Sequence, residues 1–361
     1  MKSPFSPRLL LLPLVPFYRF ALVLRDIRIN SGLEQVRNLR WPVISIGNLS
    51  TGGSGKTPLA ITLAKELTAL GFPVDVLSRG YGRESKLAAR VLPEGTAEEF
   101  GDEPLLIARE AGVPVYVAAE RYEAGLLAEA APKVFPPAAP VVNPPQPNPP
   151  KSPPVEPPPE LPGVHLLDDG FQHRQLYRDV DILLLDRENW KDGLLPAGNL
   201  RESLYAAHRA TVIAIPAGDT ELESALRIWG WLGPIWRLRR RMDMPFVKGP
   251  LAAFCGIARP DQFFQGIEAG RDPLAFRIAF PDHYRFTAAI LEEVISEACA
   301  TGAKAMVTTE KDVVRLGKLV SVFPKHLPLI AAKLTVEIEY KDTVMDWLID
   351  RILPGLPQKP Q

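Results

Sequence analysis

The chain has 361 residues, 42 Lys+Arg against 42 Asp+Glu, and a formal net charge of zero. A balanced charge excludes a global electrostatic pull toward nucleic acid or an anionic surface, so any basic site must be local. Two cysteines, Cys255 and Cys299, exclude a disulfide framework and a cysteine-based zinc site.

The chain opens with an apolar run, Leu9 to Leu24, interrupted by Pro13, Pro16 and Arg19 and flanked by Arg8, Arg25 and Arg28. A spanning helix needs about 20 apolar residues, and this run is shorter. No small-x-small cleavage site follows it, against a secretory signal. Phe17, Tyr18 and Phe20 beside arginines suit a helix lying in a membrane interface, and residues 1–28 are read that way in preference to a core helix.

Pro42–Ile46 is a short apolar run ending at Gly47, read as a buried strand. Thr57–Leu70 carries leucines at helical spacing and stops at Gly71, and Val74–Leu77 is a second strand. Strand, glycine-rich loop, helix and strand make a βαβ unit of a parallel sheet. Between Pro132 and Pro162, 15 of 31 residues are proline, which predicts an extended or unstructured surface excursion and a weak ligand for a proline-recognising protein at most. Strand-like runs resume at Val164–Asp169, Val180–Leu185 and Ala210–Ile215, then Leu251–Phe254, Ala305–Thr308 and Thr335–Ile338, with a helix near Thr287–Thr301. The expected fold class is α/β: a P-loop NTPase-like parallel sheet flanked by helices over residues 29–204, and a second, smaller α/β lobe over 205–361.

The loop Gly52-Gly53-Ser54-Gly55-Lys56-Thr57 carries the strongest chemical signal. Its end matches the phosphate-loop spacing, although Ser50 stands where the first glycine is usual. Glycines let successive backbone N–H groups face a polyphosphate, and the helix that follows points its positive end at the same charge. Lys56 then reaches the β- and γ-phosphates of ATP, and Thr57 offers a hydroxyl to Mg²⁺. Such a site needs a carboxylate near the metal. Asp168-Asp169, at the end of a strand and followed by Gly170-Phe171-Gln172-His173, is preferred to Asp186, which reads as a cap or an ion-pair partner. Taken alone, Asp102 reads as a helix N-cap and His283 as an ordinary loop histidine.

The motifs in order are Gly47-Asn48-Leu49 through Pro58, Ser78-Arg79-Gly80-Tyr81-Gly82-Arg83, Gly101-Asp102-Glu103-Pro104 and Leu167 through His173. Pro196-Ala197-Gly198 with Leu200-Arg201-Glu202, Cys255 through Pro260, Phe280-Pro281-Asp282-His283-Tyr284 and Thr308-Thr309-Glu310-Lys311-Asp312 follow. This set resembles the tetraacyldisaccharide 4′-kinase family over nearly the whole chain outside the proline tract. The resemblance implies two α/β lobes and an N-terminal helix on the cytoplasmic face of the bacterial inner membrane. It also implies transfer of the ATP γ-phosphoryl group, with Mg²⁺, to the 4′-hydroxyl of an acylated glucosamine disaccharide 1-phosphate in lipid A synthesis. By the same resemblance Asp102 and His283 pair to activate that hydroxyl, and Ser50 is a tolerated variation. Arg201 and the Arg79/Arg83 pair are expected to clamp phosphates. The proline tract departs from the family pattern as an insertion, and Asn199 departs beside Arg201.

Two other readings share parts of the pattern. A GTPase or metallochaperone-type switch needs an Asn-Lys-x-Asp element, which Thr309-Glu310-Lys311-Asp312 matches only loosely. A non-catalytic membrane scaffold does not call for Lys56, Thr57, Asp168 and Asp169 together.

Overall fold

The computed structural model describes residues 7–132, 161–269 and 273–353. The proline tract lies outside the described residues except at its ends.

Twelve strands among the described residues are β1 Val43–Asn48, β2 Val74–Ser78, β3 Ala89–Arg90, β4 Val115–Val117, β5 Val164–Asp168 and β6 Val180–Leu184, then β7 Val212–Pro216, β8 Ile235–Asp243, β9 Leu251–Cys255, β10 Phe276–Ala279, β11 Ala305–Thr309 and β12 Leu329–Ile338. They join in the order β10-β9-β11-β12-β8-β7-β6-β1-β5-β2-β4-β3. Pairing is parallel from β8 through β4 and again from β10 through β12; β3 and the β8–β12 junction are antiparallel. β1, β2, β5 and β6 are buried along their whole length, as expected of parallel strands covered on both faces.

The sheet does not break near Tyr205. β7 pairs in parallel with β6, so the first sheet runs on to β8. β8 carries no strand signal in the sequence because four of its nine residues are arginine, yet Trp236 and Leu238 alternate into the core. Beyond the β8–β12 junction, β9, β10 and β11 build a second α/β unit, with the helix Pro260–Glu268 packed in one core and Ala288–Ala300 in another.

Chain order reverses at β1, flanked by β5 and β6, which is where open α/β sheets place their ligands. The register sets Ile46 beside Asp168, so the glycine loop and the paired aspartates leave the sheet side by side. Gly47 is required there: a Cβ would lie 2.5 Å from the Phe171 Cβ.

Away from that edge a buried ionic triad ties the first lobe together. The His165 Nδ1 lies 2.7 Å from Asp75 Oδ1 and its Nε2 lies 3.4 Å from Glu129 Oε1. Trp41 stacks on the imidazole at 5.0 Å. The two carboxylates outweigh burial and push the imidazole up to about 9, so His165 is a cation at neutral pH.

The N-terminal segment is a 3₁₀ turn, Pro7–Leu14, and a helix, Val15–Asn30, of which only Ile29 is buried. Leu10, Phe17, Phe20 and Ile27 are exposed. Polar contacts hold the helix against the body: the Tyr18 hydroxyl donates to the Arg201 carbonyl at 2.8 Å, and Arg25 pairs with Glu202 at 2.9 Å. Among the described residues no helix is long and apolar enough to cross a membrane.

Candidate active site

The helix Lys56–Ala69 begins at Gly55, which is left-handed at φ +88°, and Gly52 has φ +112°. These conformations suit glycine and turn the loop amides inward. A Cβ on Gly53 would meet nothing within 4 Å, so this stretch of the loop is open for a ligand. Thr57 is buried one residue into the helix. Lys56 Nζ donates to Asn48 Oδ1 at 3.0 Å and stands 3.6 Å from Asp169 Oδ1. From the linking strand β8, Arg240 donates to the Ser54 carbonyl and packs its guanidinium against Gly55.

Adjacent in sequence, Asp168 and Asp169 have opposite surroundings. Asp169, at φ +50°, is gripped by two Arg201 hydrogen bonds of 2.9 and 2.8 Å. Burial pushes its carboxyl up, but Lys56 and Arg201 outweigh it and hold the group well below the usual range. Asp168 is buried; one oxygen lies 3.5 Å from the Ser78 hydroxyl and the other has no partner. Burial, then Glu103 and Asp169, push it up to about 7 against the pull of Lys56 and Lys311. An orphaned, charge-stressed carboxylate fits Mg²⁺, which takes few protein ligands and fills its shell with water and phosphate oxygens. Among the described residues no group of three or more His, Cys, Asp or Glu is placed to hold a metal ion by itself.

Asp102 is not an N-cap. Gly101 holds that position with φ +89°, and Asp102 is the first residue of the helix Asp102–Glu110. Its side chain turns toward the second unit, where Oδ2 lies 3.1 Å from His283 Nδ1 and accepts from Arg315 Nε and Nη2 at 2.8 and 2.6 Å. The mid-chain and late motifs therefore meet in space. Burial pushes the Asp102 carboxyl up, but the His283 bond and the charges of Arg315 and Lys311 hold it well below the usual range. The bond to Asp102 raises His283 above an ordinary histidine, against burial. His283 sits at φ +58°, with its N–H on the Gly256 carbonyl at 3.2 Å and the Tyr81 ring 5.2 Å away.

The other predicted residues divide. Gln172 donates to the Asn48 carbonyl at 2.9 Å and so ties the aspartate turn to β1. His173 is driven down to about 3 by burial and by Arg121, Arg178 and Arg79, and is neutral. Arg83 bonds the Leu87 carbonyl of its own loop at 2.7 Å, whereas Arg79 lies close enough to Arg121 to repel it. Asn199 bonds the Asp192 carboxylate at 2.8 Å, and its carbonyl accepts from Thr51 N–H, beside the phosphate loop. Asp186 caps the helix Arg187–Trp190 and pairs with Arg259 at 2.6 Å. The Thr308–Asp312 segment does not form a base-reading loop: Thr309 caps a helix, Lys311 pairs with Glu103, and Asp312 pairs with Arg315. Sequence reasoning left Asn48, Glu103 and Lys311 without a role although the quoted motifs contained them. Arg315, one helical turn beyond Lys311, lay outside every motif.

A glycine loop at the sheet's switch point, a lysine entering the helix, a carboxylate pair at the end of the neighbouring strand and an acid–imidazole pair joining the two units define a phosphate-loop phosphotransferase. Residues 7–353 match the family model described as tetraacyldisaccharide-1-P 4′-kinase, and the chain belongs to that family. It is 37% identical over 348 residues to the tetraacyldisaccharide 4′-kinase of Koribacter versatilis, covering 93% of this chain and 97% of that one. It is 33% identical over 376 residues to the enzyme of the same name from Syntrophus aciditrophicus, covering 94% and 91%. A crystal structure of LpxK from Aquifex aeolicus in complex with ATP superposes with a TM-score of 0.68 at 30% identity, covering 96% of this chain and all of that one.

Proposed function

We propose that this enzyme transfers the γ-phosphoryl group of ATP to the 4′-hydroxyl of a tetraacylated glucosamine disaccharide 1-phosphate in lipid A biosynthesis, at the cytoplasmic face of the inner membrane. The reading is supported by Lys56 lying 3.6 Å from Asp169 at the sheet edge where β5 ends at Asp168, and by the Asp102–His283 pair, whose neighbours Glu103 and Lys311 bear electrostatically on Asp168.

Phosphoryl transfer spreads charge over the equatorial oxygens, so positioning and electrostatics do most of the work. The loop amides from Gly52 to Thr57 and the helix N-terminus hold the phosphates, and Lys56 meets the charge that develops on the γ group. Asn48 and Asp169 keep the lysine extended across the loop mouth. Arg201 fixes Asp169 and places a second cation there. Thr57, Asp168 and Asp169 would hold Mg²⁺, which when bound neutralises phosphate charge. Asp102 accepts the sugar proton, directly or by way of His283, because a carboxylate against an imidazole stores a proton near neutral pH. The exposed apolar side of the Val15–Asn30 helix lies on the membrane and brings the lipid substrate to the lobe boundary.

The test is incubation of detergent-solubilised protein with labelled ATP, Mg²⁺ and the tetraacylated disaccharide 1-phosphate. Label is expected on the 4′ position, with Lys56→Ala reducing turnover by on the order of a hundredfold or more. ATP binding without label transfer would refute the acceptor.

A further inference from the structure

Arg315 is not among the residues assigned above to nucleotide or acceptor, yet it is the hub of a polar network that holds Asp102 and the His283 turn. Its Nε and Nη2 hold Asp102 Oδ2 at 2.8 and 2.6 Å. Its Nη1 holds Asp312 Oδ1 at 2.9 Å and also donates to the Gly256 carbonyl. That carbonyl accepts from the His283 backbone N–H at 3.2 Å, and Asp312 accepts from the Gly256 N–H at 3.1 Å. One nearly buried guanidinium thus fixes the carboxylate from one lobe and, through Gly256, the strained turn that presents the histidine from the other.

We propose that Arg315 is a positioning residue for phosphoryl transfer: it aligns Asp102 with His283 across the lobe boundary and sets the proton affinity of the pair. The inference rests on the reading of Asp102 and His283 as the acceptor-activating pair. A planar fork suits the task, since it contacts Asp102, Asp312 and a carbonyl in fixed relative directions, which a lysine cannot do. The other charged groups facing the pair are Lys311 and Glu103, with Asp282 at 3.8 Å from both Arg315 and the imidazole. Of these, Arg315 alone bonds both Asp102 and the Gly256 carbonyl that accepts from the His283 backbone N–H.

The experiment compares Arg315→Gln and Arg315→Lys with the parent enzyme and with Asp102→Asn. It measures kcat and KM for ATP and for the lipid acceptor across pH 5.5–9. Loss of a cation favours proton binding on both Asp102 and His283, so the acid limb of the Arg315→Gln profile should move to higher pH. Each unit of displacement lowers the rate about tenfold on that limb. KM for ATP should not change, and Arg315→Lys, which keeps the charge and loses the fork, should restore the position of the limb but only part of the rate. A uniform rate loss with an unmoved pH profile, or a raised KM for ATP, would reduce Arg315 to a structural residue and overturn the proposal. If Arg315→Gln does not fold, Arg315→Lys decides: full parental activity overturns the fork argument. Asp102→Asn separates the two levels. An active Asp102→Asn removes the underlying reading, whereas an inactive one beside an unchanged Arg315→Gln removes only this inference.

Discussion

Replacing His165 with Ala removes the cation that bridges two largely buried carboxylates, Asp75 and Glu129, and leaves Glu129 the longer contact to the exposed Arg40 at 4.0 Å. Breaking a buried pair by deleting one partner costs about 3–5 kcal/mol, because the remaining charge is left uncompensated. The pH dependence of that loss follows from the direction of the shift. The imidazole rises from 6.5 to about 9 in the fold, so its contribution is fully present below pH 6.5 and disappears as pH rises through about 9. The shift corresponds to about 3 kcal/mol, less the part that burial of Asp75 takes back by raising its own carboxyl.

The gap between parent and His165→Ala should therefore be widest near pH 6 and shrink to about 1–2 kcal/mol at pH 10. Urea unfolding followed by tryptophan fluorescence measures it, with Trp41 stacked on the imidazole as a local reporter. Titration of other groups at pH 10 affects both proteins alike and cancels in the difference. A gap of the same size at both pH values would mean that His165 contributes packing alone, and the ionic account would be wrong.

Gly47→Ala should destabilise by about 1–3 kcal/mol and disturb nucleotide binding, read by unfolding and by KM for ATP, because the Cβ drives into the Phe171 backbone. Phe17→Asp combined with Phe20→Asp should cut co-sedimentation with anionic liposomes at least tenfold, since each burial of a phenylalanine stabilises by about 1.5–3 kcal/mol. Turnover of detergent-dispersed acceptor should survive that change, because neither ring is buried against the body. Replacing residues 133–160 with a short Gly/Ser linker should leave kinase activity largely intact, since Glu129 and His165 tie the segments on either side of it. Loss of activity in a still-folded deletion would give the insertion a catalytic part.

The first sheet was legible because its strands are short apolar runs that end on chemistry: Ile46 before the glycine loop, Leu167 before Asp168, Leu184 before Asp186. β8 was not, since a run with four arginines reads as solvated surface until a sheet pairs it on both sides and three salt bridges, Arg237–Glu223, Arg239–Glu339 and Arg241–Asp243, offset most of its charge. At the site, local signals identified the phosphate loop and the aspartate pair, which lie next to each other through one strand register. No local signal joins Asp102 to His283 or Arg315, which lie 181 and 213 residues away in sequence. Only the family resemblance suggested the first contact, and nothing suggested the second. Asp102 illustrates why: its position at the start of a helix is what an N-cap would show, and the glycine before it takes that role instead.

The charge balance explains why the two lobes must act together. The first lobe brings Asp102, Glu103, Asp168 and Asp169 to one edge, where Lys56 and Arg201 serve chiefly Asp169. The counter-cations for Asp102 and Glu103 are Arg315 and Lys311, both from one short helix of the second unit. Without that helix Asp102 and Glu103 would lose their counter-cations, and neighbouring carboxylates would resist ionisation of one another. The second unit thus supplies both the cations that hold the Asp102 carboxyl low and the imidazole that contacts it. Asp168 remains the one stressed carboxylate of the set, with an unpartnered oxygen beside the phosphate loop, where a cation arriving with the nucleotide has the most to gain.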